Sequence, residues 1–179
     1  ADIILSPSST TTADTLQLYP TLRGRLFTTP LGTTLPPGSP KRPRQPTPGT
    51  NILFVGRFDT IKGTNVLFDA IESVSTEVIG IHWHIAGGLP ANPKAEARWI
   101  KQWKKREPKG TNVSFTGWLE PTTLQTMYKQ ADILVAPSLY ETFGLSVLEA
   151  MGHSLAICAS NVGGLQDLLE HETSALLSQ

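Results

Sequence analysis

Short apolar runs alternate along the chain with longer segments whose apolar residues recur every three or four positions. These patterns are typical of buried strands and of amphipathic helices, respectively. From residue 51 onward, the predicted strands are 52–55, 79–85, 113–116, 133–136, 155–159 and 175–177, and the predicted helices are 66–74, 94–106, 121–130, a helix from 145, and 164–169. Alternation of strand and helix implies right-handed crossovers. The predicted fold class is therefore α/β, with a doubly wound, Rossmann-like parallel sheet.

Two of the predicted helices have a defined apolar face. In the first helix the apolar positions are Val66, Leu67, Ala70, Ile71 and Val74. In the helix from residue 145 they are Leu145, Leu148 and Met151. We expect both faces to pack against the sheet.

The pattern is weaker ahead of the alternating region. The predicted elements there are a strand at 3–5, a helix at 13–19 ended by Pro20, and a strand at 26–29. Residues 33–50 are rich in proline and include Lys41, Arg42 and Arg44, a composition typical of an extended, solvated linker.

This organisation divides the chain into residues 1–35, a proline-rich linker over residues 36–50, and a domain over residues 51–179. The chain opens on an apolar strand and does not begin with methionine. We expect it to be a fragment of a longer protein, with the last domain continuing beyond residue 179.

Composition narrows the class of function. Fifteen basic and fifteen acidic residues balance to zero net charge, which gives no indication of a nucleic-acid partner. The single cysteine, Cys158, excludes a disulfide framework and favours a reducing compartment, so we predict a cytoplasmic location. No apolar run approaches the roughly 20 residues of a membrane span, and the first residues lack the basic region of a signal peptide.

One segment places two carboxylates around a helix N-terminus. Glu141 lies in the loop after the strand at 133–136, and Glu149 lies on the following helix, with seven residues between them. Gly144 permits a tight turn, so the free N–H groups of the helix lie between the two carboxylates. Such amides bind phosphate, and carboxylates accept hydrogen bonds from hydroxyls. The segment therefore predicts a site for a phosphorylated ligand that also carries hydroxyl groups.

Two cations follow the first strand of this domain. Arg57 comes directly after Gly56, and Lys62 stands five residues further on, beside Gly63. Arginine supplies a planar fork and lysine a mobile point charge, a combination that can clamp a diphosphate. The alternative is that neither residue binds a ligand: Arg57 would be an exposed arginine at a strand end, and Lys62 an ordinary lysine at a helix start.

Three motifs, in this order, resemble the signature of the retaining GT-B glycosyltransferases of family 4 type. They are V-G-R-F-D-T-I-K-G at 55–63, E-T-F-G-L-S-V-L-E at 141–149 and V-G-G at 162–164. The resemblance covers residues 50–179 and, more weakly, residues 1–35. It implies the C-terminal, donor-binding half of a GT-B fold, with residues 1–35 as the tail of the N-terminal acceptor domain. Ser154 and Ala156 stand where the family usually has glycine and proline.

The resemblance also implies an activity. A sugar, of hexosyl type, would be transferred from a nucleotide-diphosphate sugar to an acceptor that the sequence does not identify. The anomeric configuration would be retained, and neither a metal ion nor a cofactor would be needed. Activity would require the missing N-terminal GT-B domain.

The resemblance assigns roles to the site residues. Arg57 and Lys62 would bind the diphosphate in place of a metal ion, and Glu141 would contact the hydroxyls of the donor sugar; these three are the candidate catalytic residues. Glu149 would accept hydrogen bonds from the ribose hydroxyls. The other predicted donor-binding residues are Gly56, Phe143, Gly144, Leu145, Gly87, Trp118 and Leu119. A plain turn at Gly87 and simple packing of Trp118 remain open alternatives.

Other functions fit the sequence less well. The second candidate is a non-catalytic module of the same fold that binds a nucleotide or a nucleotide sugar. A nicotinamide-dependent enzyme would need G-x-G-x-x-G after the first strand, which is absent. His82 and His84 share a strand face, but no third zinc ligand is placed near them. The basic, aromatic helix at 94–106 suggests a peripheral membrane contact, although core packing with a solvated basic face is favoured.

Overall fold

The computed structural model describes residues 2–33, 49–89 and 91–179. The first of these ranges forms a small unit that consists of β1 (Ile4–Ser6), α1 (Ser9–Leu18), a 3₁₀ turn (Pro20–Leu22) and β2 (Leu26–Thr28). The two strands pair in parallel, with Ile4 opposite Leu26. Most of the predicted linker, 36–50, lies outside the described residues, and so do Lys41, Arg42 and Arg44.

Helix α1 begins four residues before its predicted start. The Ser8 side chain accepts a hydrogen bond from the Thr11 N–H at 3.1 Å and so caps the helix. The prediction placed this serine- and threonine-rich stretch ahead of the helix. Because an N-cap replaces a missing backbone hydrogen bond, the first turn forms from residues of low helix propensity.

The remaining described residues alternate between strand and helix. The strands are β3 (Thr50–Val55), β4 (Ile81–Ala86), β5 (Asn112–Gly117), β6 (Ile133–Ala136), β7 (Ala156–Ser160) and β8 (Leu176–Ser178). The helices are α2 (Thr64–Glu77), α3 (Pro93–Arg106), α4 (Pro121–Gln130), α5 (Leu145–Gly152) and α6 (Leu165–Leu168). Each predicted element of this domain is present, with small differences at its ends.

These six strands form one sheet in the order β5-β4-β3-β6-β7-β8, and all neighbours are parallel. The first strand in sequence, β3, is central: β4 and β5 extend the sheet on one side, and β6 to β8 extend it on the other. The predicted doubly wound parallel sheet is therefore confirmed. Its switch point lies between β3 and β6, and ligands of such sheets bind at the carboxyl ends of the strands there.

Two apolar clusters hold the sheet and helices together. One contains Leu53, Tyr128, Leu134, Val147, Ala150 and Leu165 among its buried members. The other contains Phe54, Phe58, Phe68, Ile71, Trp83 and Trp103. In the second cluster the Trp103 ring stacks on Phe68, with 4.1 Å between the ring centroids, and meets Phe58 edge-on at 5.1 Å. Aromatic packing of this kind buries a large apolar area in a small volume.

The predicted apolar faces of two helices need correction. Val66 is exposed, and α2 instead buries Thr64, Leu67, Phe68 and Ile71. This stripe follows helical periodicity and is rotated from the predicted one, because the large Phe68 ring fits the aromatic cluster.

Helix α5 is also rotated from its predicted orientation. It buries Val147 and Ala150, whereas Leu145 is exposed. The side of α5 that carries Leu145 and Glu149 therefore remains available to a cleft.

Candidate functional site

A cleft of about 350 Å³ opens at the carboxyl ends of β3, β4 and β6, where the switch point predicts a ligand site. Its walls contain the predicted residues Gly56, Arg57, Lys62, Gly87, Trp118, Leu119, Glu141, Phe143, Gly144, Leu145 and Glu149. The structure thus brings every predicted site residue to one cleft. Their individual roles stay predictions.

The turn from β3 to α2 directs Lys62 into the cleft. The Asp59 carboxylate accepts a hydrogen bond from the Lys62 N–H at 2.9 Å, which closes the turn. Gly63 then starts α2 in a left-handed conformation with φ of 66°, and a β-carbon at this position would collide with the carbonyl of Pro137. A glycine is required here by both conformation and space.

Lys62 meets Glu141 across the cleft. The Lys62 Nζ lies 2.5 Å from Glu141 Oε2, and the two side chains are 25% and 12% exposed, respectively. The two residues belong to loops 79 positions apart in the chain, which only the parallel topology brings together. The cation predicted for the diphosphate and the carboxylate predicted for the sugar are therefore adjacent.

Arg57 lies further out than Lys62. Its side chain is 61% exposed, and its guanidinium pairs with Asp59 at 3.1 Å. An exposed pair of this kind contributes little to stability and leaves the arginine free to reorient toward an anion. We place Arg57 at the rim of the cleft and Lys62 in its wall.

The N-terminus of α5 provides backbone donors in the same wall. Gly144 precedes the helix with φ of 100°, and no side chain caps this end. The first N–H groups of a helix have no partner within it and carry partial positive charge. Because Phe143, Gly144 and Leu145 line the cleft, this helix end can bind an anionic oxygen.

The predicted glycine turn at 162–164 braces the loop that carries Glu141. The Gly164 N–H donates to the Glu141 carbonyl at 2.7 Å. Helix α1 contacts the same region: the Thr11 hydroxyl donates to the Thr142 carbonyl at 3.2 Å, and the Thr10 hydroxyl donates to the Gly163 carbonyl at 3.1 Å. The small N-terminal unit therefore docks directly on the site loop.

The other end of the cleft is apolar. Trp118 is 64% exposed beside Leu119, which lies partly against the first apolar cluster. Packing alone therefore does not account for the Trp118 side chain. Gly87 has φ of 110°, and a β-carbon there would collide with the Gly56 carbonyl, so this glycine allows the ends of β3 and β4 to approach.

Sequence reasoning missed several residues of the cleft wall. They are Leu31, Val55, Ala86, Leu124, Thr142 and Ser146. Val55, Thr142 and Ser146 lie within the quoted motifs and Ala86 adjoins Gly87, so the sequence around the predicted residues could have indicated them. Leu31 and Leu124 carry no local signal, because only the tertiary structure brings them to the cleft.

The two histidines on β4 are engaged elsewhere. His84 contacts Ser114 Oγ and Asn51 Oδ1, each at 3.0 Å, and burial, assisted by the charge of His82, lowers its pKa. His82 contacts the Asn112 side chain at 2.7 Å. Among residues 2–33, 49–89 and 91–179, no group of three or more histidine, cysteine, aspartate or glutamate residues is placed to hold a metal ion.

Helix α3 turns its two tryptophans toward the core, with Trp99 partly buried against the second apolar cluster. Trp103 is buried, while Lys94, Arg98, Lys101, Lys104 and Lys105 are exposed. Arg106 joins α3 to α2 through Asp69 at 2.5 Å and Glu72 at 2.7 Å. In the described part of the chain, no helix has the length and apolar character needed to cross a membrane.

Comparisons with known proteins find relatives among the glycosyltransferases. An uncharacterised glycosyltransferase of Methanocaldococcus jannaschii is 32% identical over 125 residues, which cover 70% of this chain and 30% of the relative. D-inositol 3-phosphate glycosyltransferase 2 of Catenulispora acidiphila is 29% identical over 180 aligned positions, covering 92% of this chain and 41% of the relative. The chain thus spans well under two thirds of the length of these curated relatives.

Solved structures share the fold. The Anabaena protein HepE, in complex with UDP-glucose, superposes with a TM-score of 0.82 at 17% identity, over 100% of this chain and 50% of HepE. The sequence model of the glycosyl transferases group 1 family matches residues 49–179, which contain the whole six-stranded sheet and most of the cleft. The fold is the Rossmann-like parallel α/β fold of the matching GT-B glycosyltransferase structures, and the chain belongs to the family of glycosyl transferases group 1.

Proposed function

We propose that this chain is the donor-binding part of a retaining, metal-independent glycosyltransferase of family 4 type, acting as a hexosyltransferase on a nucleotide-diphosphate sugar. One observation carries the proposal: Lys62, the N-terminus of α5 and Glu149 converge on the walls of a single cleft. Lys62 and the helix amides would bind the diphosphate, and the carboxylate of Glu149 would bind the ribose hydroxyls. That HepE is solved with UDP-glucose supports a nucleotide sugar as the donor.

The leaving diphosphate is the centre of the proposed chemistry. Cleavage of the anomeric bond adds negative charge to the diphosphate, and groups already oriented toward this charge lower the barrier. Lys62, Arg57 at the rim and the amides of residues 143–145 supply positive potential there. These groups take the part that a metal ion takes in other phosphate chemistry.

Glu141 has a different proposed part. Its carboxylate is held by Lys62 at 2.5 Å and is directed into the cleft. When the diphosphate attracts Lys62, Glu141 becomes available to the hydroxyls of the donor sugar. Transfer on a single face of the sugar, through an oxocarbenium-like transition state, would retain configuration without a protein nucleophile.

Glu149 and the apolar end are proposed to bind the nucleoside. One carboxylate accepts hydrogen bonds from two neighbouring ribose hydroxyls. The base would lie along Trp118 and Leu119, with Leu31 and Leu124 near it in the cleft wall. Aromatic and aliphatic side chains of this kind pack against any nucleobase, and backbone groups of the cleft would select among the bases.

The domain organisation is part of the proposal. Residues 1–35 would be the tail of an N-terminal acceptor domain, joined by a linker over 36–50 to the donor domain over 51–179. The docking of α1 on the site loop supports this arrangement. The acceptor site would belong mainly to the missing domain of a cytoplasmic protein. We therefore expect the present chain to bind donor and to transfer little or no sugar.

Calorimetric titration with UDP, GDP and ADP, with EDTA present, tests the nucleotide site. One diphosphate should bind, and Glu149→Ala should weaken binding by about 1.5–3 kcal/mol for each lost hydrogen bond to the carboxylate. The matched control is Glu170→Ala, which removes an exposed carboxylate outside the cleft. A requirement for a divalent cation would contradict metal independence, and an unchanged affinity in Glu149→Ala would contradict the ribose role.

An activity assay on a protein that also contains the proposed N-terminal acceptor domain distinguishes an enzyme from a binding module. Incubation with the nucleotide sugar and candidate acceptors should release the nucleoside diphosphate, and proton NMR of the product should show the anomeric configuration of the donor. Donor binding without any release would indicate the non-catalytic module. An inverted product would contradict the retaining mechanism.

A further inference from the structure

His153, which follows α5, joins the end of that helix to α4 behind the nucleoside end of the cleft. The rings of Tyr128 and His153 stack with centroids 5.6 Å apart and an interplanar angle of 8°. His153 Nε2 contacts Gln125 Oε1 at 2.5 Å. One helical turn earlier on each helix, Leu124 and Glu149 line the cleft. Tyr128 therefore lies in the layer directly behind the wall that contains Glu149.

The Tyr128 hydroxyl is an unusual group in this position. Its side chain is fully buried, and its hydroxyl has no hydrogen bond of standard length and angle within the described residues. A buried hydroxyl without a partner destabilises a fold, and phenylalanine would fill the same space without that loss. Packing alone therefore does not explain a tyrosine at this position.

Glu149 is the charged group that acts on this phenol. Burial raises the pKa of Tyr128, and the negative charge of Glu149 and hydrogen bonding to the same carboxylate raise it further, so the phenol stays protonated and can donate a hydrogen bond. The neighbouring His153 ring nitrogen is already engaged by Gln125. Of the groups that act on the phenol, the carboxylate of Glu149 is the hydrogen-bond acceptor.

We infer that Tyr128 is a positioning residue: its hydroxyl donates a hydrogen bond to Glu149 and holds the carboxylate in the orientation that accepts the ribose hydroxyls. This inference rests on the proposed nucleotide site. One carboxylate oxygen would face the buried phenol, and the remaining acceptor positions would face the ribose. A carboxylate held in this way loses less side-chain freedom on binding, so it discriminates more strongly for the hydroxyls it accepts.

The test compares ribose recognition in three proteins: wild type, Tyr128→Phe and the control Tyr19→Phe. Tyr19 is exposed and does not line the cleft, so its variant loses the same hydroxyl outside the site. Each protein is titrated calorimetrically with UDP, GDP and ADP and with their 2′,3′-dideoxy analogues. The readout is the ratio of the dissociation constant of the dideoxy analogue to that of the ribonucleotide. The unfolding temperature of each protein is also measured.

Wild type and Tyr19→Phe should bind the ribonucleotide about 10- to 100-fold more tightly than its dideoxy analogue. In Tyr128→Phe this ratio should fall about three- to tenfold, while affinity for the dideoxy analogue and the unfolding temperature stay equal or rise. A purely structural tyrosine would change both affinities together and leave the ratio intact, and that result would overturn the inference. Failure of wild type to bind any of the three diphosphates would instead overturn the proposed function, and this inference with it.

Discussion

Lys62 and Glu141 show what individual residues contribute before a ligand arrives. Each lies in a loop after a strand, and together they form an ion pair in the wall of the cleft. The pair satisfies two partly buried charges, which would otherwise be costly to place there. A diphosphate must therefore compete with Glu141 for Lys62, and the carboxylate itself repels the incoming anion.

This competition predicts opposite effects of Glu141→Gln on two ligands. Affinity for the bare nucleoside diphosphate should rise about two- to tenfold, because Lys62 is released and a repulsive charge is lost. Affinity for the nucleotide sugar should rise less or fall, because the glutamine forms weaker hydrogen bonds to the sugar hydroxyls. Calorimetry on both ligands checks this, with Glu170→Gln as control. Equal changes for both ligands would show that Glu141 does not contact the sugar.

Ser154 marks a place where one residue departs from the family pattern. It has φ of 59°, the left-handed conformation for which glycine is favoured, and its N–H donates to the Met151 carbonyl at 2.9 Å. The turn after α5 thus keeps the conformation that a glycine would adopt, at some cost in backbone strain.

Ser154→Gly should therefore stabilise the protein by about 0.5–1 kcal/mol, since it relieves that strain, less the entropy that glycine loses on folding. Urea unfolding measures the free energy. Ser73→Gly, at an exposed position within α2, should lose about 0.5 kcal/mol instead. If both variants were destabilised equally, the left-handed conformation would carry no strain.

At the scale of elements, the packing of α3 determines which of its side chains could contact a membrane. Trp103 is buried in the aromatic cluster and Trp99 packs against it, so both large rings of α3 face the core. The exposed charged groups of α3 are all basic. A membrane contact through these basic groups would depend on electrostatic attraction to anionic lipids. Salt screens this attraction beyond about one Debye length.

Any membrane contact through α3 should accordingly be weak and lost in high salt. Sedimentation with vesicles containing phosphatidylserine should show partial binding at low ionic strength, and Lys101→Glu/Lys105→Glu should abolish it. Arg23→Glu/Arg25→Glu, an equal change of charge on exposed residues outside α3, should retain at least part of the binding. Binding that survives high salt would require an apolar anchor and would contradict this prediction.

At the scale of the whole molecule, two cores share one sheet. Trp83, Trp99 and Trp103 all belong to the aromatic cluster, whereas Tyr128, Val147 and Leu165 belong to the other. Because β3 contributes Leu53 to one cluster and Phe54 to the other, loss of either core disrupts the sheet that supports both.

Unfolding of this domain should therefore be a single cooperative transition. Tryptophan fluorescence, which reports mainly on the aromatic cluster, and far-ultraviolet circular dichroism should give coincident urea curves. A Trp118→Phe variant removes the exposed fluorophore in the cleft and should leave the curves coincident. Separated transitions would show that the two faces of the sheet fold independently.

The strands, the helices and their parallel arrangement were predictable from the sequence, and the reason is local. Buried parallel strands leave short apolar runs, amphipathic helices repeat every three to four residues, and right-handed crossovers then leave few topologies. The strand-to-helix motifs around Lys62, Glu141 and Glu149 share one edge for the same reason, since parallel strands end together. The cleft and the predicted residues on it followed from this arrangement.

Only the tertiary structure decided which groups touch. The rotation of α2 depends on the space available to Phe68, the start of α1 on the cap at Ser8, and the entry of Leu31 into the cleft on the docking of the N-terminal unit. The ion pair of Lys62 with Glu141 and the burial of Tyr128 behind Glu149 are contacts between distant segments. A local pattern carries the periodicity of its own element, whereas these contacts depend on the shapes and charges of the elements packed against it.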